Sequence, residues 1–512
     1  ICHLKNEIML NKNLYTNFQE KFLKHSNRLF LESDHGTLKF DEIQEQTGLY
    51  VSLFKQMGIV KGDRVVVQVE KSIEAVLLYL SCLRFGAIYI PLNPAYTLEE
   101  VKYFLSDSMP ALFVCSPEQE ELMRPLTTEV NIANLVSLGK LSNGSLVEYL
   151  KTLKPSEYVE HCQDDDLAAI LYTSGTTGRS KGAMLTHKNL LSNALNLLDY
   201  WAWQDDDVLL HALPIFHVHG LFVALHCALL NCSKVIFLDK FDANRVSNEL
   251  CNSTVLMGVP TFYVRLLKEK TFNRKKCENV RLFISGSAPL LPETFTAFEE
   301  LTGQRILERY GMTETGMLTS NPYNGNRIAG SVGYLLPDVL GKIVDATGRK
   351  VVEGKIGILE VSGPNVFPGY WNMPEKTAEE FRSDGYFITG DMAFSDNTGR
   401  ISIVGREKDL IISGGYNIYP KEIESILDDI NGVVESCVIG LPHNDFGEAV
   451  VAVIIGDDSI QLSEKLIIDG IKVKLAKYKH PKAIIFAKEL PRNTMGKVQK
   501  NLLRKKFNDY LQ

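Results

Sequence analysis

The sequence predicts an α/β fold: a large N-terminal domain of parallel-type βαβ sheets with a small β-subdomain, followed by a smaller α+β C-terminal domain. Three observations carry this expectation. At 512 residues with 45% hydrophobic content, the chain exceeds what one hydrophobic core serves. Strand-length apolar runs alternate with helix-length amphipathic ones from Arg64 to Leu307, the pattern of βαβ units under a sheet covered on both faces. Between about 330 and 405 the composition turns to short β-rich segments with Gly and Pro turns, and a new α+β pattern begins after Lys408. The expected domains are therefore 1–407, containing that β-subdomain, and 408–512.

In order, residues 11 to 60 carry helix-period apolar positions (Phe18, Phe22, Leu29, then Ile43, Tyr50, Leu53, Met57) around a hairpin-like stretch from Thr37 to Phe40. Arg64 to Val69 alternates as a strand, followed by a helix at 73–84, a strand at 87–90, a helix at 98–107 and a strand at 111–114. The apolar run Ala75 to Leu92, interrupted by Arg84 and Gly86, reads as a buried helix turning into a strand and not as a membrane span. After an apolar strand at 167–171, helices are expected at 187–199, 220–230, 260–269 and 292–302, between strands at 208–213, 234–238, 255–259, 281–284 and 305–307. Several of these strands run into polar or glycine-containing turns. Ligands of open α/β sheets bind at the carboxyl ends of strands, so the turns are expected to converge on one crevice. The last part reads as a helix at 420–429, strands at 433–439 and 449–455, and a helix at 463–475.

A net charge of −7 favours neither nucleic acid nor an anionic membrane as partner. The nine cysteines are scattered without a CxxC pair, which suggests reduced core thiols and no metal cluster. No transmembrane segment is expected. The first residues, Ile-Cys-His-Leu-Lys-Asn-Glu, do not begin with Met and lack a signal-peptide core, so the expected compartment is the cytoplasm with an organelle matrix left open.

The chemistry centres on Leu171-Tyr-Thr-Ser-Gly-Thr-Thr-Gly-Arg-Ser-Lys-Gly182. A strand ending in a hydroxyl- and glycine-rich turn offers backbone N–H groups, hydroxyls and one ammonium to a polyphosphate. The Walker A pattern fails, because Ser180 stands where Gly is required and Gly182 where Ser or Thr is required. The stretch instead resembles the phosphate loop of the adenylate-forming enzymes, the superfamily of acyl-CoA synthetases, adenylation domains and luciferases. Ser285-Gly-Ser-Ala-Pro289, Glu308-Arg-Tyr-Gly-Met-Thr-Glu314, Tyr386-Phe-Ile-Thr-Gly-Asp391, Gly405-Arg406-Glu407-Lys408 and Pro491-Arg-Asn-Thr-Met-Gly-Lys497 follow in that superfamily's order and spacing.

The resemblance implies a two-step reaction. A carboxylate attacks the α-phosphate of ATP to give acyl-AMP and pyrophosphate, and coenzyme A then displaces AMP. It assigns Thr173, Ser174, Gly175, Thr176, Thr177, Gly178 and Lys181 to the β- and γ-phosphates. Ser287, Ala288, Glu308, Arg309 and Tyr310 fall to the adenine, Thr313 to the α-phosphate, and Glu314 with Thr173 to Mg2+. Asp391 is given the ribose hydroxyls, and Arg406 the ribose and α-phosphate. Lys497 is the implied catalytic lysine. Lys408 is the implied hinge, about which the C-terminal domain rotates to bring Ser413, Gly414, Gly415 and Tyr416 over the acyl-adenylate for CoA.

Two arginines bear on the acid. A fatty or aryl group wants an apolar tunnel, where a buried unpaired guanidinium is costly, whereas a second carboxylate pairs with it bidentately. Arg265 in Val259-Pro-Thr-Phe-Tyr-Val-Arg265 and Arg309, with Leu213-Pro-Ile-Phe-His-Val-His-Gly220, resemble the malonyl-CoA synthetase branch. In that branch the positions matching His217, Arg265, Ser287, Arg309 and Met312 surround malonate, and His217 counts among the catalytic set. Ligation of methylmalonate or of another short, fatty or aryl acid stays open at this point, as does a non-catalytic nucleotide- or acyl-CoA-binding role. The intact Lys497, Asp391 and Glu314 argue against the last. The expected small molecules are thus malonate, ATP, Mg2+ and coenzyme A, with oligomeric state open.

Overall fold

Helix Ile73–Phe85 begins where the Ser72 hydroxyl caps the Ala75 N–H at 3.1 Å and ends at Gly86, whose φ of 74° suits a residue without a side chain. All of it but Ile73 and Glu74 is buried, as expected of a helix apolar on every side. Arg84 is buried too, and its guanidinium donates to the Gln44 and Ser156 carbonyls at 2.6 Å, to Thr47 Oγ1 at 2.8 Å and to the Tyr158 carbonyl at 2.9 Å. These bonds offset the desolvation of the charge and tie the irregular 156–158 segment to the core.

The computed structural model describes residues 10–173, 180–413, 416–443, 446–457, 459–472, 474–475, 477–493 and 496–511. A six-stranded sheet runs in the order Asn134–Ser137, Leu112–Cys115, Arg64–Gln68, Ile88–Pro91, Leu167–Thr173, Lys181–Thr186. It is parallel except for the last pair. A nine-stranded sheet has six consecutive parallel strands: Leu307–Met312, Leu282–Ser285, Val255–Gly258, Val208–His211, Lys234–Phe237 and Leu29–Ser33. Antiparallel strands Gly316–Ser320, Tyr334–Leu335 and Gly36–Lys39 extend its edges. One continuous apolar core joins helices and strands of both sheets.

Four expectations are corrected here. Leu29 belongs to a strand and not to a helix, because it pairs with Lys39 across a hairpin. The 167–171 strand does not lead through its turn into a helix. It returns as strand Lys181–Thr186, paired antiparallel, before helix His187–Tyr200 begins. The Glu308-Arg-Tyr-Gly-Met stretch is itself a strand, its backbone groups engaged by Ser285 on one side and by Ser320 to Gly316 on the other. Residues 219–225 form a π-helical turn before helix His226–Asn231. Helices Glu120–Glu129, Ser145–Leu150 and Ala243–Glu249 and strand Asn134–Ser137 were not anticipated. Cys251 is exposed, unlike the core thiols expected.

An antiparallel four-stranded sheet, Leu340–Val344, Gly357–Ser362, Phe387–Ser395 and Ile401–Arg406, occupies the expected β-rich region. A separate five-stranded sheet starts at Ile411–Ser413 and includes Tyr416–Ile418, Gly447–Gly456, Val433–His443 and Ala483–Phe486. Only the short turn Glu407–Asp409, carrying Lys408, lies between the two. Among the described residues no helix is long and apolar enough to cross a membrane.

Candidate active site

Alternation along strand Leu307–Met312 sends Arg309 to the face opposite Glu308 and Tyr310. On its side Arg309 is 2% exposed, and its guanidinium lies against Gly286, where a Cβ would come within 2.4 Å of Cζ. Only glycine leaves that space. Among the described residues Arg309 Nε and Nη2 have no hydrogen-bond partner, and burial lowers the guanidinium to about 9, still cationic at neutral pH. The Tyr263 hydroxyl group opposes that shift, and Tyr263 itself donates to the Ile284 carbonyl at 2.6 Å.

His217 and His219 stand in the field of Arg309. Desolvation, then the guanidinium, lowers His217 to about 4 and His219 well below the usual imidazole range, so both are neutral at physiological pH. The His219 backbone N–H donates to His217 Nδ1 at 3.2 Å, which places the His217 ring proton on Nε2. His219 Nδ1 is 3.2 Å from Ser287 Oγ. Ser287 holds φ at 71°, in the left-handed region that a non-glycine residue enters at a cost. This cluster brings together a buried cation with no partner for Nε and Nη2 among the described residues, two neutral imidazoles and a hydroxyl. Met312 and Thr313 are half-buried beyond it, and Thr313 lines a small cavity with Val218, Phe222 and Asn365.

The opposite face of the same strand opens on a charged network. Tyr310 donates to Asp391 Oδ2 at 2.5 Å, and Arg406 Nε is 2.6 Å from Asp391 Oδ1, a pair set by the Asp391–Arg406 register of strands Phe387–Ser395 and Ile401–Arg406. Asp391 is the largest cause raising the Arg406 pKa. Burial raises the Glu314 carboxyl, whose Oε1 lies 3.0 Å from the Tyr370 hydroxyl. That hydroxyl, with one proton to give, is also 2.7 Å from Glu380 Oε2, and Glu380 pairs with Lys181 at 2.9 Å while the Lys181 ammonium lies 4.0 Å from the Tyr370 ring. Tyr370 and Glu380 were missed in the sequence, although the run Phe367-Pro-Gly-Tyr-Trp371 before a helix was a usable signal.

Lys497 enters this network from the C-terminal domain. Its turn is closed by Asn493 N–H to the Lys497 carbonyl at 2.9 Å, Lys497 N–H to Asn493 Oδ1 at 2.9 Å and Arg492 to the Gly496 carbonyl at 2.7 Å. A Cβ on Gly496 would meet Thr261 Cγ2 at 3.1 Å, so the turn rests on the start of helix Pro260–Leu267. Enclosure within the cleft, then Arg406, lowers the Lys497 pKa, with Asp391, Asp409 and Glu314 opposing; the side chain itself still reaches solvent. Lys408 is lowered to about 8 by desolvation and by Arg406.

Glu308 is tied to the Leu290 N–H at 3.3 Å, and burial pushes its carboxyl from 4.5 to about 8. The folded protein therefore holds a proton that the unfolded chain releases. This contribution to stability is fully present below the usual carboxyl pKa and is lost as pH rises through about 8. Glu308→Gln is expected to flatten the loss of stability seen in denaturant titrations between about pH 5 and 8.5. Profiles that run parallel would place an ionised carboxylate there.

Arg265 departs from expectation. Helix Pro260–Leu267 buries Phe262, Tyr263 and Leu266, so Arg265 falls on the exposed face, joined to no described residue by a hydrogen bond or ion pair. Thr173 ends its strand half-buried and Ala288 is half-buried beside Ser287. Ser413 is buried at the end of Ile411–Ser413. Ser174, Gly175, Thr176, Thr177, Gly178, Gly414 and Gly415 lie outside the described residues, as does the Tyr416 side chain. Among the described residues no cluster of three His, Cys, Asp or Glu side chains is arranged for a metal ion.

The AMP-binding enzyme family model matches residues 18–371, and the model of the AMP-binding enzyme C-terminal domain matches residues 422–497. A malonate–CoA ligase of Arabidopsis thaliana is 36% identical over 492 residues, 89% of this chain and 80% of that protein. A long-chain-fatty-acid–CoA ligase of Yersinia pestis is 31% identical over 526 residues, 95% of this chain and 93% of that protein. The ATP-bound crystal structure of MatB from Rhodopseudomonas palustris is 48% identical, covers 98% of this chain and 100% of its own, and superposes with a TM-score of 0.96. With both family models in sequence order and full-length likeness to these ligases, the chain belongs to the AMP-binding enzyme family.

Proposed function

We propose that the protein is an ATP-dependent malonate–CoA ligase that forms malonyl-CoA, AMP and pyrophosphate through a malonyl-adenylate. The observation that carries the acid's identity is Arg309, a buried guanidinium whose Nε and Nη2 meet no partner among the described residues. An anion supplied by the substrate would complete it, and a long-chain tail would leave it desolvated and unpaired. The names of the Arabidopsis relative and of MatB support the same reading.

In the first step one malonate carboxylate attacks the α-phosphorus, the bond to the β-phosphate breaks, and pyrophosphate leaves. Arg309, with Ser287, His217 and Met312, holds the second carboxylate away from the reaction, and His217 offers its Nε2 proton. Lys497 bridges the attacking carboxylate and the α-phosphate, where negative charge gathers. Thr313 meets the α-phosphate, Asp391 accepts the ribose hydroxyls, Arg406 lies over the ribose and α-phosphate, and Ser287, Ala288, Glu308 and Tyr310 flank the adenine, while Arg309 faces the acid from the other side of its strand. Lys181 leaves Glu380 for the terminal phosphates, shared with Thr173 and residues 174 to 178. The carboxylate of Glu314 and the hydroxyl of Thr173 are hard oxygen donors suited to Mg2+, which neutralises phosphate charge when bound.

In the second step the thiol sulfur of coenzyme A attacks the acyl carbon, AMP departs and the thiol proton is released. Lys497 and the thiol cannot occupy one face together, so the 408–512 domain turns about Lys408 relative to 1–407 and brings Ser413 to Tyr416 over the adenylate. We place the enzyme in the cytoplasm or an organelle matrix; a mouse relative is named as mitochondrial.

The test is purified protein with ATP, Mg2+ and coenzyme A against malonate, methylmalonate, acetate, octanoate and coumarate, following AMP and thioester mass. Malonyl-CoA is the expected product. Octanoyl- or coumaroyl-CoA instead would keep the ligase chemistry and make Arg309 structural, and no AMP with any acid would favour a binding protein.

A further inference from the structure

We propose that His219 is a positioning residue of the acyl pocket: protonated at Nδ1, it donates to Ser287 Oγ and leaves the serine's own proton free for the second carboxylate of the acid. This rests on the malonate reading above.

His219 is 0% exposed and begins the π-helical turn His219–Leu225. Its Nδ1 lies 3.2 Å from Ser287 Oγ, and its Nε2 is buried without a hydrogen-bond partner among the described residues. A neutral imidazole carries one N–H, so the bond to Ser287 can run in either direction. The carboxylate decides between them. It only accepts hydrogen bonds, and the serine hydroxyl has one proton. If that proton went to His219, Ser287 would turn lone pairs toward an anion. If His219 gives its own proton, Ser287 Oγ receives one bond and donates another. The strained backbone of Ser287 and the contact of neighbouring Gly286 with Arg309 fix where this hydroxyl sits, so its proton direction is what remains to be set.

The adjacent histidine supports the assignment. His217 Nδ1 already accepts from the His219 backbone N–H, so its proton lies on Nε2. The two rings would hold opposite tautomers, both neutral beside the Arg309 cation.

Two measurements test this. The 15N spectrum of histidine-labelled full-length protein with saturating malonate and α,β-methylene-ATP should contain a neutral Nδ1–H ring that vanishes in His219→Asn. Asparagine places an N–H donor near the Nδ1 position, whereas leucine removes it. His219→Leu should raise the malonate KM about tenfold or more, and His219→Asn should stay within about threefold of wild type, with the ATP KM within about threefold in both. An Nε2–H signature for His219, an unchanged malonate KM in His219→Leu, or equal impairment of both variants would overturn the assignment. The wild-type spectrum decides even if the leucine variant does not fold. Wild-type protein inactive toward malonate would instead sink the functional reading itself.

Discussion

Arg309→Leu is expected to lower kcat/KM for malonate by about 10²–10³-fold, the cost of breaking a buried charge pair. It should also raise the thermal stability of the ligand-free protein. The two effects have one origin. Without substrate, Arg309 Nε and Nη2 are buried without partners among the described residues, and burial alone has lowered the pKa to about 9. Replacing such a group by an apolar one of similar volume stabilises by about 1–4 kcal/mol. Acetate and propionate should become relatively better acids, because the uncompensated cation that rejects them is gone. Steady-state kinetics with three acids and calorimetric melting of both proteins read this out. Unchanged malonate turnover, or a lower melting temperature with malonate use intact, would make Arg309 a structural residue.

Lys497→Met should reduce malonate-dependent ATP–pyrophosphate exchange by about 10²–10³-fold, in the range of losing one preorganised electrostatic contact at a transition state. Thioester formation from supplied malonyl-adenylate should change little, because the rotation proposed above for the C-terminal domain would carry Lys497 away from the adenylate. Stability should be unaffected, because Lys497 remains accessible to solvent while its backbone turn is closed by Asn493 and Arg492. Equal loss in both half-reactions would indicate that Lys497 acts in binding or domain docking and not in adenylation.

Much of the fold was legible. Long apolar runs with helical or alternating period, such as 73–85 and 64–68, formed the expected elements because their burial pattern leaves few alternatives. Short elements were not legible. Helix Ser145–Leu150 and strand Asn134–Ser137 are too short to display a period; the strand is held by parallel pairing with Leu112–Cys115, and the Ser137 and Ser145 backbone N–H groups and hydroxyls satisfy one another. The strand at Glu308 to Met312 was hidden by its charged residues. Polar side chains signal a turn in sequence, yet here the neighbouring strands at 282–285 and 316–320 supply the backbone partners.

The site divides in the same way. The order and spacing of Gly, Ser, Thr, Lys, Asp and Glu in the motifs sufficed to recognise the chemistry, because phosphate and ribose recognition demands those groups on strand ends. Sequence alone also marked Arg309 as the residue to explain. It could not distinguish Arg309 from Arg265, since the chain neighbours of neither arginine determine its exposure. Burial is a property of neighbours distant in sequence: Gly286 makes room for one guanidinium, whereas the face of helix Pro260–Leu267 leaves the other in water. The Lys181–Glu380–Tyr370–Glu314 chain and the neutrality of His217 and His219 were likewise decided only by tertiary structure. Electrostatic coupling falls with distance in space, and the sequence carries no record of that distance.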